Sequence, residues 1–258
     1  MNSTYWIGKE IIHKEITGST NLDIKELAMN GAEEGTVVQA DMQTAGRGRR
    51  GRSWVSEKGD SLLFSVLLRP DIAPDKASQI TLLMALAVTK VLRESYGIAA
   101  MIKWPNDIVI NGKKVCGILT EMYPGMDGKY FIIVGCGINV GQKMVPVELQ
   151  EIATSLFLEG DEYSSMKTGE LLQDVLTEFE QYYKRFLTSE SLAEFASEYN
   201  AWLISQEKEV RVLDPKGEFT GISKGINDKG ELLVELPDGE MTLVYAGEVS
   251  VRGLYGYV

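Results

Sequence analysis

Residues Gly46-Arg47-Gly48-Arg49-Arg50-Gly51-Arg52 set four arginines and three glycines in seven positions, with Trp54 close behind. Like charge at that density repels itself unless an anion shares the space. Each guanidinium offers a planar fork of donors that fits carboxylate or phosphate, and the glycines let a ligand approach bare backbone. The stretch therefore reads as an anion clamp, although an arginine run also suits a solvated face or a nucleic-acid patch. Further groups able to do chemistry are Ser19-Thr20-Asn21, Gln43, the block Lys103-Trp104-Pro105-Asn106-Asp107, Lys114 with Gly117, and Gly137-Ile138-Asn139. Each has a plainer use. Ser19 and Thr20 could simply cap a helix, Lys114 could guard a sheet edge, and Trp54 and Trp104 could be core.

The elements that must position these groups follow from the apolar periodicity. Residues 36–41 and 61–68 read as strands flanking the arginine stretch, so the clamp hangs between two core strands, where binding loops usually sit. Residues 7–16 alternate loosely as a first strand, and 22–30 form a short helix closed by Gly31. Pro74 opens a helix whose stripe of Ile80, Leu83, Met84, Ala87, Val88, Val91 and Leu92 is buried scaffold, stopped at Gly97. Asn111-Gly112 between apolar runs signals a hairpin, and Lys114 begins its returning strand. Residues 131–140 form a strand with glycines at 135 and 137, and glycine in a strand often marks a close backbone approach to a ligand. An irregular acidic segment, 145–166, holds a short helix, and amphipathic helices follow at 172–186 and 192–203. From 206, turns such as Asp214-Pro215-Lys216-Gly217 recur every ~8–12 residues, the mark of a small all-β unit. At about 50 residues it is near the lower limit for folding alone, so it is expected to pack on the larger part.

The whole chain narrows the classes. Its 258 residues are 44% apolar and 24% charged, with a net charge of -11 and a sequence pI near 4.8. Such an acidic total argues against a general nucleic-acid binder, whose affinity comes from Lys and Arg neutralising phosphates. A basic loop within it points to a small anionic ligand. No apolar run approaches the ~20 residues of a membrane span, and the first residues lack the basic-then-apolar order of a signal peptide. Cys116 and Cys136 sit among apolar residues, as small buried thiols in a reducing compartment. The single histidine, His13, is expected on a surface or strand, and a zinc site is not expected. The cytoplasm is the natural location.

In this order, the Gly/Arg loop and the Lys-Trp-Pro-Asn-Asp block resemble biotin protein ligase, and the resemblance runs over nearly the whole chain. It implies an α/β (α+β) fold, a class II synthetase-like mixed, largely antiparallel sheet with packed helices over residues 1–205, then an SH3-like β barrel over 206–258. It looks like the form without the N-terminal DNA-binding domain of the repressor members, so no DNA partner and no membrane are expected. The implied reaction is activation of biotin by ATP, with Mg²⁺, to biotinyl-5′-AMP, then transfer to a lysine of a biotin carboxyl carrier protein. No protein nucleophile is needed, because the biotin carboxylate itself attacks. Carried over by position, Ser19, Thr20, Asn21, Gln43, Arg47, Gly48, Arg49, Lys114 and Gly117 would contact biotin. Arg49, Arg52, Trp54, Lys103, Asn106, Asp107, Asn139 and Arg252 would meet ATP or the adenylate. Lys114, Arg47 and Arg49 would supply the catalytic charge, and Asp107 would touch Mg²⁺ through water. The family includes monomers and homodimers. The competing readings are a lipoate or octanoate ligase, a non-enzymatic nucleic-acid module, and a biotin-binding regulator without turnover.

Overall fold

The computed structural model describes residues 6–55, 57–126, 128–160, 163, 166–214, 217–246, 250–253 and 256–258. Strand β1 (Ile11–Thr17), helix α1 (Thr20–Met29) and strand β2 (Val37–Gln43) form a unit in which β1 and β2 pair in parallel. Strands β3 (Gly46–Arg47) and β4 (Ser53–Trp54) make a separate two-stranded ribbon. Next come β5 (Ser61–Leu68), α2 (Ala77–Lys90), β6 (Met101–Lys103), β7 (Asp107–Ile110), β8 (Lys113–Pro124) and β9 (Tyr130–Asn139). These build a seven-stranded mixed sheet in the order β1-β2-β5-β9-β8-β7-β6, antiparallel everywhere except β1–β2. Helices α3 (Leu156–Glu159), α4 (Thr168–Ser189) and α5 (Ala196–Trp202) follow. The chain then adds β10 (Glu209–Asp214), β11 (Gly217–Ile226), β12 (Leu232–Glu235), β13 (Met241–Val244) and β14 (Ser250–Gly253). This second sheet is antiparallel, in the order β13-β12-β11-β10-β14.

The period-2 alternation of strands gives the large sheet two apolar faces. On one, Phe64, Val66, Ile132, Val134 and Ile138 pack against the stripes of α2 and α4 in the main core. On the other, Ile24 and Ala28 of α1 cover Val38, Leu67, Phe131 and Ile133. The second sheet shares the main core through Val210, Leu232, Val234 and Val251. Trp104 is 2% exposed and its indole Nε1 donates to the Gly230 carbonyl at 3.0 Å, so it is core and joins the two sheets.

Several expectations shift in detail. The first strand begins at Ile11, because the amides of Trp6 and Ile7 turn away to donate to the buried Glu180 carboxylate, each at 2.7 Å. Helix α5 starts at Ala196; residues 192–195 are turns that hang on the Asp228 carbonyl through the Leu192 amide at 2.8 Å. Asn111 and Gly112 both take positive φ, 49° and 77°, as a tight hairpin turn requires. Strand β8 is flanked by β7 and β9, so Lys114 guards no sheet edge. His13 lies in β1 and pairs with Asp41 at 2.7 Å. Pro215 and Lys216 of the expected turn lie outside the described residues.

Candidate active site

The site opens on the α1 face of the sheet, at the point where side chains run out. Along β9 that face presents Phe131 and Ile133 beneath α1, then only Gly135 and Gly137. A Cβ on Gly135 would lie 2.1 Å from Asn21 Oδ1, and one on Gly137 would lie 2.8 Å from the Trp54 ring. Gly117 on β8 is equally tight against Trp54, at 2.8 Å. These glycines therefore admit side chains of the chain itself, and those side chains form the walls of the pocket.

The polar wall comes from the first turn of α1. Gln43 Oε1 accepts from the Thr20 amide at 2.8 Å and faces its hydroxyl at 3.1 Å. The Ser65 hydroxyl lies 2.7 Å from Thr20 Oγ1 and 2.6 Å from Asn21 Oδ1. Asn21 Nδ2 donates to Glu121 Oε2 at 2.8 Å, and Glu121 Oε1 pairs with Arg47 at 3.3 Å. A chain of donors and acceptors thus runs from α1 to the arginine ribbon. Ser65 and Glu121 were missed by the sequence reading. The signal for Ser65 was a hydroxyl set in the middle of an apolar, fully buried strand.

The cationic wall is the ribbon β3–β4 and its tip. The Gly48 amide donates to the Arg52 carbonyl at 2.7 Å, and Arg50 takes the left-handed conformation at φ 58°. Arg49 Nη1 donates to Asn106 Oδ1 at 2.7 Å, and Asn106 Nδ2 donates to Asp107 Oδ1 at 3.0 Å. Lys114 Nζ reaches the same carboxylate at 2.6 Å, and the Tyr257 hydroxyl donates to Asp107 Oδ2 at 2.5 Å. Burial pushes the Asp107 carboxyl up, but Lys114 and Lys103 outweigh it and hold the group below its usual range. Burial is also the main influence on Lys103, which falls to about 8 despite Asp107, with Lys114 and Arg252 adding repulsion. Burial, then Arg50 and Arg52, lowers Arg49 against the pull of Asp107. Lys103 and Arg49 are thus cations held partly dehydrated near the carboxylate that Lys114 also holds, a setting that an arriving anion would relieve.

Two cavities meet here. One, of about 50 Å³, is bounded by Thr20, Asn21, Gln43, Arg47, Gly48 and Gly117. The other, of about 120 Å³, is bounded by Arg52, Lys103, Asp107, Arg252 and Tyr257. Gly48, Arg49, Trp54, Asn106 and Lys114 border both. Two expected residues line neither. Ser19 is buried at the N-cap of α1, where its side chain makes no capping bond. Asn139 donates to the Thr154 carbonyl at 2.9 Å and accepts from Gln142 at 3.1 Å, so its amide braces the loop beyond β9.

Two adjoining chambers that share a rim of Gly48, Arg49, Trp54, Asn106 and Lys114 have the shape and charge to hold two polar ligands, at least one anionic, end to end. Comparison with known proteins specifies the class further. Residues 13–139 match the biotin/lipoate A/B protein ligase family and residues 207–252 match the biotin protein ligase C-terminal domain. The chain is 39% identical over 247 residues to the bifunctional ligase/repressor BirA of Bacillus subtilis, covering 95% of this chain and 75% of that protein. It is 32% identical to the biotin–[acetyl-CoA-carboxylase] ligase of Mycobacterium tuberculosis, covering 90% and 85% of the two chains. The solved biotin protein ligase of Aquifex aeolicus, in complex with biotin and ATP, superposes with a TM-score of 0.83 at 33% identity, over 95% of this chain and 99% of that one. The chain belongs to the biotin protein ligase family.

Proposed function

We propose that the chain is a biotin protein ligase that activates biotin with ATP and transfers it to a lysine of a biotin carboxyl carrier protein. The observation that carries the reading is the Lys114–Asp107–Asn106–Arg49 chain on the rim common to both chambers. In this reading the smaller chamber takes biotin, whose ureido ring needs both donors and acceptors, and Thr20, Asn21 and Gln43 offer them. The larger chamber takes the nucleotide, with Arg52, Lys103 and Arg252 facing its phosphates and Trp54 forming the partition. Residues 1–205 are the ligase unit, and 206–258 are the β unit, which adds Arg252 to the larger chamber.

The chemistry follows from charge. Biotin carboxylate and the ATP α-phosphate repel each other, and Lys114, Arg47 and Arg49 screen them at the rim. A carboxylate oxygen attacks the α-phosphorus, the bond to the bridging oxygen breaks, and pyrophosphate leaves. The neutral amine of the carrier lysine then attacks the acyl carbon of biotinyl-5′-AMP, AMP departs, and the amine proton passes to solvent. A glycine-rich ribbon over the adenylate would exclude water between the steps. Among the described residues no three of His, Cys, Asp and Glu converge as a metal cage. Both Asp107 oxygens are also engaged within the chain. Mg²⁺ is therefore taken as part of the MgATP substrate. Cys116 and Cys136 are free thiols with sulfurs 3.6 Å apart, as a reducing cytoplasm would keep them.

The test is transfer of labelled biotin, with MgATP, to a biotin carboxyl carrier domain and to its Lys→Arg control. Label on the wild-type carrier alone is expected. Lipoate driving pyrophosphate release in place of biotin would overturn the substrate assignment.

A further inference from the structure

Residues 256–258 lie at the site, and Tyr257 lines the larger chamber beside Arg52, Lys103 and Arg252. Its hydroxyl donates to Asp107 Oδ2 at 2.5 Å, while Lys114 Nζ holds Oδ1 at 2.6 Å. Its ring faces Lys103, whose Nζ lies 4.2 Å from the centroid. Val258 reaches the Asn111-Gly112 hairpin, within 3.0 Å of where a Gly112 Cβ would sit, and so anchors the segment on the far side. A single side chain more than 140 positions away in sequence thus touches both the carboxylate that orients Lys114 and the buried lysine of the nucleotide chamber.

On the ligase reading above, we infer that Tyr257 is a positioning residue for adenylate formation, fixing Asp107 through its hydroxyl and Lys103 through its ring. The two contacts act on different quantities. Asp107 has charge enough for two donors, and while Tyr257 holds one oxygen, the pull on Lys114 is shared. Without that donor Oδ2 loses its partner, Lys114 and Asn106 on Oδ1 carry the carboxylate, and Lys114 is drawn away from the anions it is meant to screen at the moment of reaction. Loss of the hydroxyl therefore lowers kcat. The ring supports a dehydrated ammonium by cation–π attraction, so its loss lets Lys103 collapse toward Asp107 and weakens ATP binding.

The test is biotin-dependent pyrophosphate release by the full chain, with ATP and biotin varied separately, for wild type, Tyr257→Phe and Tyr257→Leu. Tyr257→Phe keeps the ring, and kcat is expected to fall roughly 10-fold with KM for ATP within twofold of wild type, the low end for a hydrogen bond to a charged group. Tyr257→Leu should show the same fall and, in addition, a KM for ATP raised at least fivefold. In an Asp107→Asn background, Tyr257→Phe should change kcat by less than twofold, which separates action through Asp107 from general loosening. A wild-type kcat for Tyr257→Phe overturns the inference while leaving the ligase reading intact. So does a loss that tracks the folded fraction in a thermal melt, or an equal loss in the Asp107→Asn background. A wild-type chain that releases no pyrophosphate with biotin overturns the ligase reading, and this inference with it.

Discussion

Gly135→Ala tests whether the floor of the site is built as described. The strand backbone there leaves no room for a side chain: the added Cβ would lie 2.1 Å from Asn21 Oδ1 and 2.9 Å from its Cγ. Asn21 cannot simply swing aside, because it is 5% exposed, with Ser65 at 2.6 Å and Glu121 at 2.8 Å. Overpacking of this kind costs about 1–3 kcal/mol. If Asn21 is expelled instead, the partners it leaves unsatisfied in a buried site cost about 1–3 kcal/mol. By either route the expected loss is about 1–3 kcal/mol in urea unfolding, with biotin affinity by calorimetry at least 10-fold weaker at temperatures where the variant is folded. Asn21→Gly removes the obstructing side chain. The double variant Asn21→Gly/Gly135→Ala should then be more stable than the sum of the single losses by more than about 1 kcal/mol, the coupling expected of residues in contact. Gly135→Ala within about 1 kcal/mol of wild type, or strict additivity in the cycle, would refute the packing argument.

Lys114→Ala is expected to reduce biotin-dependent pyrophosphate release at least 100-fold, about 3 kcal/mol for a pre-aimed donor at developing charge, and near-normal release would contradict its role at the rim. Arg49→Gly should let free biotinyl-5′-AMP escape into solution faster than wild type while synthesis falls less, as read by chromatography of the labelled adenylate. Lys103, lowered to about 8 from an ordinary 10.5, penalises the fold while charged, so the penalty is complete below pH 8. The unfolded chain binds more protons between pH 8 and 10.5, and stability recovers there by up to about 3 kcal/mol. Lys103→Met should flatten that part of the wild-type curve of unfolding free energy against pH, and parallel curves would sink the assignment.

Local signals carried much of this molecule. The Asn111-Gly112 turn, the α2 stripe and the short strands after residue 206 are written in neighbouring residues, and the structure realises each. The arginine stretch stood out as a candidate anion clamp because its charge density makes little sense without a partner. What could not be read were groups whose meaning depends on pairing between distant strands. Glu121 looks like one more polar residue until β8 is laid beside β9 and Asn21 is found 2.8 Å away. Gly137 announced a close approach, but not that Trp54 would be the group approaching it.

Asn139 and Tyr257 make the same point from opposite sides. Position in a familiar order placed Asn139 near the nucleotide, yet here its amide is spent on Thr154 and Gln142, because beyond residue 139 the chain turns back and leaves carbonyls that need donors. Tyr257 carries no motif, and the resemblance that points to Arg252 nearby does not extend to it. It acquires a role only because β14 pairs with β10 in a second sheet that shares the main core with the large one, an arrangement in which Tyr257 meets Asp107. The second sheet thus has two consequences at once: it extends the core through Trp104 and Gly230, and it sets a hydroxyl against the carboxylate on which Lys114 rests. A substitution that loosened the second sheet without unfolding the first should therefore lower the rate of adenylate formation before it lowers biotin affinity, since the Thr20–Asn21–Gln43 wall draws on α1 and on β2, β5, β8 and β9 of the large sheet.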